Sequence, residues 1–175
     1  MTAVANSVFT AAQFNQFVRD NLLETAPAKA TTGGRHFVAT GLNAIAERAS
    51  VTQFIGGAET TPATGYTDLA TVGPTVTAVT GTMAWVLTSA FANNNTDPSS
   101  TSFSHDITGA TTAAASDNHR GVYVRDNTGS LSGSRFTVGS LRTGLTPGSN
   151  VFTMKYKVSS GTGTFSERSI AVLPL

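Results

Sequence analysis

The 175-residue chain contains no cysteine, which excludes a disulfide scaffold, a thiolate zinc site and a cysteine nucleophile. Charge is scarce: 12% of the residues are Asp, Glu, Lys or Arg, about half the usual share. The 11 basic and 10 acidic side chains are scattered singly and leave a formal net charge of +1. Neutralising several phosphates takes a dense basic face, so no nucleic-acid partner is expected. Only 3 histidines are present, which gives a metal centre few ligands. Nothing matches a phosphate-binding loop, a dinucleotide fingerprint, a serine-nucleophile elbow or a zinc-protease helix, so neither a cofactor nor an enzymatic activity is expected. No apolar run approaches the roughly 18 residues of a membrane span. The first residues also lack the basic-then-apolar pattern of a secretory signal.

What fills the space is hydroxyl. Threonine is about one residue in six, and with serine it makes up roughly a quarter of the chain, whereas Leu, Ala and Gly lead in ordinary composition. Threonine is β-branched and suits a pleated, half-wetted surface. The expected solvent face is therefore hydroxyl-covered rather than charged.

Three parts follow along the chain. In residues 1–26, Thr10 is placed to cap a helix and Gln13 stands three positions later, as a capping box requires. Phe9 and Phe14 occupy the two positions of a hydrophobic staple. Phe14, Phe17, Val18 and Leu22 then recur on one helical face, next to Leu23, and Pro27 stops the pattern. A helix over about residues 11–24 is predicted. Its apolar face either packs on the chain's own sheet or docks on another protein. Its terminal position, outside the β pattern, favours docking, with Phe9, Phe14, Phe17, Val18, Leu22 and Leu23 as the docking residues.

Residues 27–57 read as a connector with a small hairpin: Arg35 to Thr40 outward, Gly41-Leu42-Asn43 reversing, Ala44 to Arg48 returning. Such a hairpin cannot stand alone in water. Residues 58–175 are β throughout. Period-2 patterns separated by turn signals give about eight strands, the clearest being Phe152, Met154, Tyr156 and Val158 alternating with Val151, Thr153, Lys155 and Lys157. Residues 83–92 form the most apolar strand, with Met83, Trp85, Leu87 and Phe91 on one face, so Trp85 is expected in the core. The expected architecture is a mainly β, jelly-roll-like antiparallel sandwich with an N-terminal amphipathic helix and a hairpin connector.

Polar candidates are few. His105, Asp106, Asp117 and His119 lack metal-ligand spacing and read as surface residues around a loop. Asp97, Asp126 and Glu167 carry no mark of a glycosidase carboxylate pair. Asn94-Asn95-Thr96 is a glycan-acceptor sequon. Lys155 and Lys157 read as a solvated face or as protection of a sheet edge.

Certain segments carry a resemblance. Phe9-Thr10-Ala11-Ala12-Gln13-Phe14-Asn15, followed by Val18-Arg19-Asp20-Asn21-Leu22, resembles the LTAAQLN…LRDNL opening of many small virion proteins from tailed phages of actinobacteria. Phe14 stands where leucine is usual, and Phe17 is bulkier than typical. Glu24 to Ala30 and Ala44 to Arg48 resemble the connector of those proteins. Ser104 to Thr111, Leu145 to Asn150 with Phe152, and Gly161 to Phe165 through Pro174-Leu175 resemble their β domain. The resemblance implies a non-enzymatic structural protein on the exterior of a phage particle. The first choice is decoration of the capsid, anchored by the N-terminal arm to the major capsid protein. A minor tail or fibre protein is the alternative, with tail subunits as partners and a host-surface glycan as a further ligand. A homo-oligomer, with a trimer favoured, is also implied.

Overall fold

The computed structural model describes Val8 and residues 10–23, 29–126 and 133–175. Phe9, and with it the staple, lies outside the described residues, as does the side chain of Leu23. The chain divides into two compact units, Met1–Glu47 and Arg48–Leu175.

In the first unit the helix begins where the capping pattern puts it. Thr10 Oγ1 accepts from the Gln13 backbone N–H at 3.2 Å, and the Thr10 N–H donates back to Gln13 Oε1 at 3.0 Å. α1 (Ala11–Phe14) leads into a π-turn (Asn15–Arg19) and then α2 (Asp20–Leu23). The simple helical period did not anticipate the π-turn. Asn21 bears on it directly: its side-chain amide donates to the Phe17 carbonyl at 2.6 Å and competes there for a backbone acceptor. The hairpin forms as the pattern requires, β1 (His36–Gly41) with β2 (Ala44–Arg48). Asn43 takes the left-handed conformation at its tip (φ 55°), which asparagine tolerates better than most residues. Glu47 ties the preceding segment to β2: its carboxylate accepts from the Thr31 and Thr32 backbone N–H groups and lies 3.9 Å from Arg35. The Thr31 hydroxyl, chiefly, holds that carboxyl below its ordinary pKa.

The second unit is a two-sheet sandwich. Its strands are β3 (Val51–Ile55), β4 (Glu59–Thr61), β5 (Thr75–Thr80), β6 (Met83–Asn94), β7 (Ser99–Gly109), β8 (Gly121–Arg125), β9 (Ser134–Thr143), β10 (Gly148–Val158) and β11 (Gly163–Pro174). One sheet runs β5-β10-β7-β8; the other runs β3-β11-β6-β9, with β4 added on β11. All of these pairs are antiparallel. From β5 to β6 to β7, and from β8 through β9 and β10 to β11, the chain changes sheet at each step. That alternation makes the protein mainly β and jelly-roll-like. Val51–Ile55, assigned above to the connector, is a strand of this sandwich, because it pairs with β11.

Both sheets contribute to the core. Phe103 and Ile107 from β7, and Phe152, Met154 and Tyr156 from β10, are fully buried. Opposite them β6 presents Ala84, Val86, Thr88, Ala90 and Ala92, all buried. β6 is the small-residue strand of its sheet, whose neighbour β11 adds the fully buried Phe165 and Ile170. Two glycines permit close approaches. A Cβ at Gly121 would come within 2.4 Å of the Phe103 ring, which packs on Phe136 with centroids 4.9 Å apart. Gly109 has φ +96°, and a Cβ there would meet the Ser149 carbonyl oxygen at 2.5 Å.

Candidate interaction surfaces

The helical face stands open. Phe14 is 50% and Leu22 62% exposed; Phe17 is also exposed, and Val18 is half-buried. The capping residues close the first turn, which carries Phe14.

The placement of Trp85 corrects the sequence reading. The indole is 45% exposed on the outer face of β6, together with Met83 and Leu87. Cross-strand neighbours extend the patch: Leu173 of β11 and Leu141 of β9 flank Trp85, while Ala171 and Gly139 flank Leu87. Leu141 is 44% exposed. The physical reason lies in the core. The interior already holds the rings of Phe103, Phe152, Tyr156 and Phe165, so the small-residue face of β6 is the one that fits inward. Strand parity then sends the bulky face to solvent. The uniformly small run Ala84, Val86, Thr88, Ala90, Ala92 was the signal that identifies the inner face; hydrophobicity alone points the wrong way.

The outer face of the other sheet carries ion pairs beside the exposed Val79, Val122 and Val124. Lys155 Nζ lies 2.7 Å from Asp68 and 3.4 Å from Asp106. Lys157 Nζ lies 2.7 Å from Asp117 and 4.6 Å from the Tyr66 ring centroid. Arg120 joins Asp117 at 3.1 Å, and the Tyr66 hydroxyl donates to Asp117 at 2.8 Å. Burial pulls the Lys155 ammonium down, but the two carboxylates outweigh it and leave its pKa raised. The Lys157 and Tyr66 hydrogen bonds hold Asp117 low. Both lysines lie on β10, an interior strand of its sheet. They form an ion-paired and largely buried cluster, their side chains 17% and 21% exposed, and do not protect an edge.

His105 is also misplaced by the sequence reading. It is fully buried on the inner face of β7, between the sheets, with Nε2 3.1 Å from Arg142 Nη1. Arg142 reaches it from β9, the His119 ring lies 5.9 Å away and the Phe152 ring 6.3 Å. Desolvation first, then the Arg142 charge and His119, lower the His105 pKa to about 3, so the ring is neutral and accepts from the guanidinium. Asp117 lies exposed elsewhere, bound to Lys157. Among the described residues no three His, Asp or Glu side chains are grouped to hold a metal ion.

The other polar candidates are engaged in local structure. Asp97 lies 3.8 Å from Arg125, and Glu167 pairs with Arg135 at 2.9 Å; each faces an arginine. The sequon asparagine is buried, and its amide donates to Thr101 and to the Ser160 carbonyl. A glycan cannot be attached there without breaking the turn. Arg168, fully buried on β11, lies 3.5 Å from Glu59 and 5.6 Å over the Tyr156 ring. Its Nη1 donates at 3.4 Å to the Thr71 and Gly73 carbonyls, and so ties the loop before β5 to the core.

No protein-family model and no curated protein matches the sequence. Among solved structures the chain is similar to the Eiger TNF from S. frugiperda, at 9% identity and a TM-score of 0.40, over 73% of this chain and 92% of that one. A likeness that distant carries no argument about activity or partners.

Proposed function

We propose that the protein is a non-enzymatic structural component on the exterior of a phage particle, a capsid decoration protein anchored by its N-terminal helix. The observation that carries this reading is the open apolar face of Phe14, Phe17 and Leu22 on a capped helix, in a segment whose sequence resembles the opening of small phage virion proteins. Burying these half-exposed side chains against a capsid subunit contributes roughly 1 kcal/mol each, since full burial of such a side chain is worth about 1.5–3 kcal/mol. That is weak for one copy. A particle presents many copies on a lattice, where avidity compensates for modest single contacts. The β unit, with its own packed core, is the part that projects. Docking at a tail subunit would use the same helix, and the site of attachment on the particle separates the two.

The test is incorporation. Particles are assembled with the full chain and with the triple variant Phe14→Ser, Phe17→Ser, Leu22→Ser, then purified and quantified for the protein. The native chain is expected on the capsid, and the variant is expected to be lost from particles while its circular dichroism is unchanged. Normal incorporation of the variant would refute the anchor. Native protein located on the tail would refute the decoration role.

A further inference from the structure

The two outer faces of the sandwich differ in kind. One carries Asp68, Asp106, Asp117, Arg120, Lys155 and Lys157 in ion pairs. The other carries no charge across four successive cross-strand rows: Met83 with Thr143; Trp85 with Leu141 and Leu173; Leu87 with Gly139, Ala171 and Thr52; Ser89 with Thr137, Ser169 and Phe54. Charge returns only past the bulge between Ser166 and Ser169, where Arg135 and Glu167 pair with each other at 2.9 Å. A chain that can make an ion-paired sheet face has left the second face uncharged, with an apolar centre around Trp85.

From this we infer that the outer face of the β3-β11-β6-β9 sheet is a self-association surface whose occupant is a second copy of this chain, packed back to back about a two-fold axis. Three features support that occupant. An uncharged face meets its own copy with no like-charge contact and no buried ion to compensate. The exposed fractions of Met83, Trp85, Leu87, Leu141 and Phe54, between 39% and 58%, leave on the order of 400 Å² of apolar surface. A stable interface needs about 800 Å² per partner, with an apolar centre and a polar rim. Thr52, Thr137, Thr143 and Ser169 supply that rim. The geometry also suits it, since twisted sheets stack face to face at about 10 Å. A sugar fits less well: the residues beside the Trp85 ring are Leu141, Leu173 and Leu87, which offer no hydrogen bonds to hydroxyls. The pairing is two-fold, unlike the trimer that the resemblance implies. An identical face closes after one partner, whereas a threefold ring needs two different faces on each copy. The inference is independent of the helical anchor.

Trp85 is the only tryptophan in the chain, so the interface carries its own reporter. Sedimentation velocity and tryptophan emission are measured on the full chain from low micromolar to high concentration. The expected result is a doubling of mass and a blue shift of emission with a common midpoint. Leu141→Glu is expected to raise the dissociation constant by about tenfold or more, because the two-fold axis brings two carboxylates into one apolar centre. Val79→Glu removes a somewhat more exposed aliphatic side chain from the other sheet and is expected to leave the midpoint unchanged, which controls for general effects of charge. Several results would overturn the inference. One is a monomer throughout, with constant emission. Another is a monomer whose emission is already blue at the lowest concentration, which would mean that another segment of the same chain covers the ring. A third is an oligomer indifferent to Leu141→Glu. The last is a monomer whose emission is shifted by added soluble oligosaccharides, which would make the face a glycan platform.

Discussion

Lowering the pH from 7 to 4.5 is expected to destabilise the sandwich chiefly through one imidazole. His105 is fully buried between the sheets, with Arg142 at one ring nitrogen and no hydrogen-bond partner for Nδ1 among the described residues. His119, Phe152 and the register partner Met154 complete its surroundings. Burial and the adjacent guanidinium lower its pKa from 6.5 to about 3. The unfolded chain therefore binds a proton at this residue below pH 6.5, and the folded chain does not until about pH 3. The stability associated with the neutral ring is complete above pH 6.5, declines as pH falls, and is gone below about pH 3. The whole interval corresponds to about 5 kcal/mol, and the part between pH 7 and 4.5 to about 3 kcal/mol. That is a large share of the roughly 5–15 kcal/mol a domain possesses. His119, half-buried, shifts in the same direction by desolvation and then Arg142. Glu59 and Asp117 do not obscure the window, because hydrogen bonds from Thr71 and from Lys157 hold both carboxyls low, so their loss comes at more acid pH. The assay is urea unfolding at the two pH values for the native protein and for His105→Gln, whose side-chain oxygen still accepts from Arg142 and does not titrate. The native protein is expected to lose about 3 kcal/mol and the variant less than about 1 kcal/mol. Equal losses in both proteins, or a native stability that is flat with pH, would refute the buried neutral imidazole.

Two further outcomes follow from buried geometry. Glu59→Gln removes the carboxylate beside the fully buried Arg168; a loss of about 3 kcal/mol is expected in denaturant unfolding, since an unpaired interior charge is costly, and no loss would mean that the carbonyls of Thr71 and Gly73 suffice. Gly109→Ala places a methyl 2.5 Å from the Ser149 carbonyl oxygen at φ +96°; a destabilisation of at least about 1–2 kcal/mol is expected, read as a fall of several degrees in Tm.

Much of the fold is legible before any tertiary contact is known. The capping box is a local hydrogen-bond arrangement over four residues, so Thr10 and Gln13 announce it. The hairpin at Leu42-Asn43 and the alternation of β10 are equally local: each needs only neighbours in sequence, and each stands as read. The π-turn was hidden because a side-chain amide reaching a backbone carbonyl leaves no trace in hydrophobic periodicity. The candidate surfaces were half legible. The apolar helical face could be read from its period, but the sheet face around Trp85 was assigned to the wrong side.

That error marks the division between chain and fold. The sequence by itself determined that residues 83–92 form a strand with two distinct faces, that the solvent surface is rich in hydroxyl groups, and that the N-terminal segment is an amphipathic helix. Which face of β6 turns inward, and whether His105 meets water or Arg142, was decided only when the two sheets came together. Alternation gives a strand two faces but no direction. The direction is set by the volume left in the interior, and a core that already holds Phe103, Phe152, Tyr156 and Phe165 takes the alanine and valine face of β6 rather than the indole.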